Sequence, residues 1–461
     1  MKALQSRIAG KVTVATDAGY EDLRRSLIWN QLTPGRYPQV VVQVANEQDV
    51  IEAVRFARAQ NLKVAVRGGG HSWVGFSLCD GSLLIDLGRL NQVSIDPMSR
   101  TAVVQPAVTG RELNRQLSAH GLAFPVGHCP SVPMSGFLLN GGLGWNSNIW
   151  GPACFSVEAA HVVTADGTLV VVNQEQHADL LWAIRGAGPG FFGVLTQFVL
   201  KLYPVPRAIT TSTYFYPLSH MEEVGAWAEG IAGQLPREVE LAMFCAPAPP
   251  AYIEQCRSGN GFVCLLTATA FLDSQRDAAA RLNLLEACPV LSECLGKEVV
   301  QPTSLDALLD KGGMLWPDYH RALAETFWSN SSPVRPLATM RESFLHAPSS
   351  KSLGACIFAT GSESSAAMLP AAAFSMTART LLLCYAIWER PEDDDANRAW
   401  HCETIAALNR FAVGHYVGES DIIEELVRAE RSFAPANWQR LQSLRHTYDP
   451  DRLFHTHFGT G

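Results

Sequence analysis

Charge is scarce in this chain: Asp, Glu, Lys and Arg make up 17% of 461 residues, the net charge is −8 and the pI is near 5.9. No Lys/Arg run forms a basic patch, so nucleic acid is not expected as a partner. No apolar stretch reaches the roughly 18 residues that a membrane span needs. The opening Met1–Arg7 runs into polar sequence without the apolar core of a signal peptide, so a cytoplasmic location and no membrane partner are expected. The eleven cysteines form no CxxC pair and no zinc-type spacing to His, so no metal site is expected. Cys264, Cys356 and Cys384 sit in apolar runs and read as buried thiols, which suits a reducing compartment. Also missing are HExxH, a GxSxG elbow, a Walker GxxxxGK[ST] loop and the paired loop carboxylates of a glycosidase.

What is present is a globular, small-molecule-handling composition, 47% apolar, and too long for one compact core. Up to Tyr203 short strands and helices alternate. Val40–Val44 reads as a strand and Asn46 as the N-cap of a helix carrying Val50, Ile51, Val54 and Ala57. Val64–Val66, Leu83–Leu87 and Thr101–Val104 read as strands, and Thr109 with Glu112 as a capping box. Asp166-Gly167 reads as a hairpin turn, His177–Arg185 as a helix and Phe192–Tyr203 as a strand. Pro204 and Pro206 mark a boundary, and the organisation expected is 1–206, 207–428 and 429–461. The middle portion alternates strands (Phe262–Phe271, Leu381–Glu389) with helices (Ser274–Ala287), separated by Ala/Pro/Ser-rich stretches such as Ser362–Ala373.

Three glycine-rich segments carry the chemistry. Arg67-Gly68-Gly69-Gly70-His71-Ser72 follows a strand directly; its glycines permit positive φ and bring backbone N–H groups close to a ligand such as a pyrophosphate, to which Arg67 adds charge. A tight turn with a polar tail is the plainer reading. Gly127-His128-Cys129-Pro130-Ser131-Val132, with Gly136 and Asn140–Trp145, brackets a His and a Cys between glycine turns, as an extended cofactor requires. Gly188–Gly193 matches GxGxxG, but a helix precedes it and a strand follows, the reverse of a dinucleotide fingerprint, so a Rossmann NAD site is rejected.

Taken together, Gly35–Pro38, Arg67–Ser72, Leu83–Leu87, Cys129–Val132, Gly141–Gly144, Arg185–Gly193 and the tail Tyr448-Asp449-Pro450 resemble the berberine-bridge-enzyme-like branch of the vanillyl-alcohol-oxidase/PCMH flavoprotein superfamily. The resemblance implies an α+β fold: a PCMH-type FAD-binding domain of two α/β subdomains, built from both ends of the chain, with an inserted substrate domain of antiparallel sheet covered by helices. It implies FAD attached covalently through His71 and also through Cys129, since these stand where the family's histidine bonds the flavin 8α-methyl group and where bicovalent members bond C6. It further implies cofactor contacts from Arg67, Gly68, Gly69, Gly70, Ser72 and Gly75; from Gly127, Val132 and Gly136; from Asn140, Gly141, Gly142, Gly144 and Trp145; and from Gly193 and Val194. The chain departs from the family pattern at Trp73, His128, Phe137, Phe374–Thr377 and His457.

Oxidation of an alcohol or amine by flavin needs a base beside the donor carbon. His128 next to Cys129 is one candidate, against the reading of a structural loop histidine. Tyr416 and Glu419, in Tyr416-Val417-Gly418-Glu419, are others, against an ordinary polar loop; Tyr385, in an apolar strand, is equally compatible with the core. The function expected is an FAD-linked oxidase of a small organic molecule (an alcohol, amine or C–C bond of an aromatic or secondary metabolite), its flavin reoxidised by O2 to give hydrogen peroxide, in a monomer or homodimer. Alternatives are a carbohydrate oxidase, a flavin dehydrogenase using another acceptor, and a flavin-scaffold protein without redox turnover.

Overall fold

A computed structural model describes residues 2–361, 371–423 and 426–458. The separator Ser362–Ala373 therefore lies outside the described residues up to position 370. The chain divides into two compact units, Met1–Val205 with Leu369–Ser375 and Asp421–Gly461, and Pro206–Met368 with Met376–Ser420.

The first unit holds a four-stranded sheet in the order Lys11–Val14, Val40–Gln43, Leu83–Asp86, Val64–Arg67, with the last three strands parallel. Val40, Val41 and Val42 are fully buried, as are Leu83, Leu84 and Ile85: strands covered on both faces read as unbroken apolar runs. Asn46 caps the following helix Glu47–Ala59 by accepting from the Asp49 N–H at 3.0 Å. Asp49 in turn accepts from the N–H groups of Ala9, Gly10 and Ala45, fastening that helix to the N-terminal strand. A second, wholly antiparallel sheet runs Val93–Asp96, Thr101–Val104, Val194–Lys201, Val157–Val163, Leu169–Val172. Its last hairpin turns at Asp166-Gly167, with Gly167 at φ +76° and the Asp166 carboxylate accepting from the Thr168 N–H. Thr109 caps its helix as the sequence suggests, while the Glu112 carboxylate turns to Arg115 and Gln116. The strand read as Phe192–Tyr203 spans only Val194–Lys201, because Gly188–Gly190 form a tight helical turn just before it.

The second unit is built on an eight-stranded antiparallel sheet: Gly296–Thr303, Ala208–Pro217, Phe262–Leu272, Val239–Pro247, Leu353–Phe358, Thr380–Trp388, Arg321–Ser329, Gly414–His415. The helices Met221–Ala232, Val334–Phe344 and Asp394–Asn409 pack on it, close enough that a side chain at Gly354 would meet Met340. The predicted helix Ser274–Ala287 is α-helical over Gln275–Leu282 and tightens to a 3-10 turn over Asn283–Ala287, where Glu286 reaches out to Tyr214 and Lys297. The strand Thr380–Trp388 is buried at all 9 positions and carries Tyr385.

The tail closes the first unit. Val64 donates to Leu453 and accepts from His455, both at 2.8 Å, so residues 453–455 extend the parallel sheet beside the strand that leads into Arg67–Ser72. Asp449, fully buried, holds the turn by accepting from the Leu453 N–H at 2.6 Å and the Phe454 N–H at 3.0 Å. Asp449→Ala leaves two buried N–H groups without acceptors and is expected to lower stability by about 2–4 kcal/mol. Urea unfolding of the full chain checks this, and Asp449→Asn is expected to lose less.

Candidate active site

The first glycine segment is shaped by what packs behind it. A Cβ on Gly68 would lie 1.8 Å from Ser135 Oγ, one on Gly69 1.9 Å from Pro133 Cγ, and Gly70 has φ +72° with the Leu27 carbonyl against it. The turn thus lies backbone-first on the second glycine segment. The Arg67 guanidinium donates to Asp86 at 2.9 Å, to the Leu27 carbonyl and to the Gly69 carbonyl, and so braces the turn. Beyond His71, Ser72 and Gly75 close a further turn, with Gly75 N–H donating to the Ser72 carbonyl. Arg36 donates to the Gly75 carbonyl at 2.7 Å, and His457 Nε2 to the Phe76 carbonyl at 2.8 Å. Burial pushes the His457 imidazole down to about 4, so it acts there as a neutral donor.

The His71 ring stacks on Trp29, centroids 4.7 Å apart and planes within 22°, and its Nε2 lies 2.9 Å from Ser131 Oγ. The same hydroxyl is 3.4 Å from Cys129 Sγ. The two attachment candidates therefore meet at one oxygen, across 60 positions of sequence between His71 and Ser131. The loop that carries Ser131 is anchored on the helix Gly110–Ser118: Gly110 N–H donates to the Val132 carbonyl at 3.0 Å and Arg111 N–H to the Pro130 carbonyl at 3.1 Å.

The remaining expected contacts divide by role. Gly136 opens onto free space, whereas Gly127, Gly141, Gly142 and Gly144 are glycines because Phe137, Phe374, Ala153 and the Pro125 carbonyl respectively stand where a Cβ would go. Trp145 packs edge-on against His128 at 4.3 Å. In the third segment Gly190 receives the Phe458 ring and Gly193 the Val162 side chain. Val194 is fully buried in register with Val163. Ser135 Oγ and Asn140 Oδ1 are buried without a hydrogen-bond partner, beside the open space at Gly136.

Within the second unit, Glu419 Oε2 accepts from the Tyr385 hydroxyl at 2.9 Å and the Thr326 hydroxyl at 3.0 Å. Burial raises the Glu419 carboxyl above its ordinary range, and burial together with the Glu419 charge raises Tyr385 well above its own. The Tyr385 ring stands edge-on to Trp316, centroids 5.9 Å apart. Tyr416 is 6% exposed and its N–H donates to the Thr326 carbonyl, which fixes the start of the turn that carries Glu419. Burial pushes the His128 imidazole down to about 4, and its ring packs against Trp145.

The family model described as FAD binding domain matches residues 38–173. An FAD-linked oxidoreductase of Penicillium ochrochloron is 29% identical over 96% of this chain and 95% of its own length. The (R)-6-hydroxynicotine oxidase of Paenarthrobacter nicotinovorans is 30% identical over 56% of this chain and 55% of its own. Berberine bridge enzyme from Eschscholzia californica shares the fold, with a TM-score of 0.81 at 21% identity and coverage of 99% and 98% of the two chains. The chain thus carries an FAD binding domain and is similar along nearly its whole length to an FAD-linked oxidoreductase. It is an FAD-dependent enzyme.

The orphaned Ser135 Oγ and Asn140 Oδ1, together with the space at Gly136, fit a cofactor rich in hydrogen-bonding atoms, as FAD is. The sequence reading did not name Trp29, quoted Arg36 and Ser131 only within motifs and gave them no role, and noted His457 only as a departure. Ser131 had the one available signal, a hydroxyl two positions from Cys129; the others act through contacts that no local pattern reports. Gly69→Ala drives a methyl group into Pro133 and is expected to cost about 1–3 kcal/mol and to lower the FAD retained on purification. Flavin absorbance per chain and the unfolding midpoint check both.

Proposed function

We propose that this oxidoreductase is an oxidase that carries FAD covalently through His71 and Cys129 and takes a hydride from a small alcohol, amine or aromatic metabolite. The observation that carries it is the single Ser131 hydroxyl reached by both His71 and Cys129. When bound, FAD accepts the hydride and passes the electrons to dioxygen, giving hydrogen peroxide. Similarity to a named 6-hydroxynicotine oxidase supports the oxidase reading. The cysteines are free thiols, most of them buried, which supports a reducing, cytoplasmic setting.

The chain's own groups hold the substrate proton. Tyr385 stays protonated and hands its proton to Glu419 as its oxygen takes the one leaving the substrate O–H or N–H, a relay along the 2.9 Å contact. Thr326 donates to the same carboxylate oxygen and keeps Glu419 oriented toward Tyr385. The sheet strand Thr380–Trp388 and the Trp316 ring exclude water from this pair.

Two measurements test this. Denatured wild-type protein is expected to retain FAD on peptides containing His71 and Cys129, with one link lost in His71→Ala and in Cys129→Ala; flavin that washes off on denaturation would remove the tether from the reading. Because Glu419 must be ionised to accept a proton and its carboxyl is raised by burial, kcat is expected to fall as pH drops through that raised value. Glu419→Gln is expected to lower kcat by about 10²–10⁴-fold and to abolish that acid limb, with flavin content unchanged. An unaltered pH profile in Glu419→Gln would assign the base elsewhere.

A further inference from the structure

Glu419 sits on segment 414–420, which runs beside the strand Arg321–Ser329. Alternation along that strand sends Thr326 and Ala324, the residue across from Tyr385, to one face and Glu325 to the other. The segment grips both faces. On the Tyr385 face, the Thr326 hydroxyl donates to Glu419 Oε2 at 3.0 Å. On the opposite face, Glu325 Oε1 lies 3.0 Å from His415 Nδ1, and both side chains are 1% exposed. Between the two, the Tyr416 N–H and the Ser420 hydroxyl both donate to the Thr326 carbonyl at 3.1 Å. Strand pairing alone gives this segment little support. Gly414–His415 is two residues long, lies at the sheet edge and meets its neighbour at two register positions. A buried carboxylate paired with an imidazole holds more firmly, because either partner left alone in the core is costly. His415 Nε2 is buried with no hydrogen-bond partner among the described residues, so Glu325 is the polar contact that holds the ring.

We propose that Glu325 and His415 are positioning residues for the Tyr385–Glu419 pair, an inference that rests on the reading of Glu419 as proton acceptor made above. His415 and Glu419 are four positions apart, on one tight segment in which the Glu419 N–H donates to the Tyr416 carbonyl at 3.0 Å. Fastening His415 on one face of the strand therefore fixes how far Glu419 reaches on the other. The distance so fixed is the 2.9 Å contact with the Tyr385 hydroxyl. Reaction along such a contact loses about 10²-fold for a misplacement near 1 Å. Glu325 and His415 thus act through Glu419, from the face of the sheet that the helix Asp394–Asn409 covers, where His401 Nε2 lies 3.3 Å from the Cys384 carbonyl and Cys384 is in register with Glu325.

The test compares full-length holoprotein as wild type, His415→Leu, His415→Asn, the double variant Glu325→Leu with His415→Leu, and Glu419→Gln. His415→Leu strands Glu325, whereas His415→Asn keeps an N–H donor. The double variant removes both polar partners together, leaves no stranded charge and is expected to keep the wild-type unfolding midpoint. Hydrogen exchange, read without substrate, reports the amides of Tyr416 and Glu419. They are expected to exchange at least about tenfold faster in His415→Leu and in the double variant, and at the wild-type rate in His415→Asn. Flavin reduction is followed without air, with the benzylic alcohol, benzylic amine or aldose that bleaches the wild-type flavin fastest. Its limiting rate is expected to fall about 10–100-fold in the double variant, with FAD content unchanged and the half-saturating concentration within about threefold. Wild-type exchange at these amides in the double variant overturns the positioning role by itself, whichever substrate is used. Faster exchange with an unchanged reduction rate also overturns it, since the pair would then serve the fold alone. His415→Leu against His415→Asn makes the same comparison should the double variant not fold. An unchanged rate in Glu419→Gln overturns the base reading instead, while exchange still reports whether the pair holds the segment.

Discussion

The architecture of the flavin-binding unit depends on the close approach of a glycine backbone to the side chains of Ser135 and Pro133. Gly68 and Gly69 lie against Ser135 and Pro133 at distances that no Cβ permits. Dispersion at such contacts falls steeply with separation, so the two segments are held at one spacing or not at all. Everything else at the site inherits that spacing. It sets His71 within reach of Ser131, and Ser131 beside Cys129. The Arg67–Asp86 pair, itself mostly buried, stops the turn from sliding along the strand that delivers it. Arg36 and His457 clamp the carbonyls of Gly75 and Phe76 just downstream, from the N-terminal region and from the tail.

The second unit poses an electrostatic constraint of a different kind. Glu419 is half-buried, and among the described residues the hydroxyls of Tyr385 and Thr326 donate to its Oε2. Two neutral donors soften the cost of burying a carboxylate without cancelling it, so its proton affinity rises. A nearby buried carboxylate is treated otherwise: Glu325 meets His415 Nδ1 at 3.0 Å, with both side chains 1% exposed. One is hydroxyl-bonded and made more basic, the other is matched with an imidazole. The contrast separates a carboxylate suited to exchanging protons from one that ties the edge strand Gly414–His415 to its neighbour.

The elements whose signals are local were legible in the sequence. The Val40–Gln43 and Leu83–Asp86 strands announce themselves as apolar runs, and the Asn46 and Thr109 caps by residue type and position. The Asp166-Gly167 turn is equally local. Boundaries were less legible where a tight turn or a change of helix type intervened, as at Gly188–Gly190 and Asn283–Ala287. Among the candidate site residues, the pattern named His71 and Cys129 for attachment and His128, Tyr416, Glu419 and Tyr385 as candidate bases, but not the contacts that each makes.

Those contacts come from partners distant in sequence. Arg67, placed directly after the strand, pairs with Asp86, and burial lowers the proton affinity of His128. By itself the sequence determined the fold class, the cofactor family and the residue types available for attachment, because periodicity, glycine placement and motif order are written along the chain. Only the tertiary structure decided which glycines serve packing, that Ser131 joins His71 to Cys129, and that Tyr385 donates to Glu419. Proton affinity and hydrogen-bond geometry depend on the solvent excluded and the neighbours supplied by remote segments, and neither is a property of local sequence.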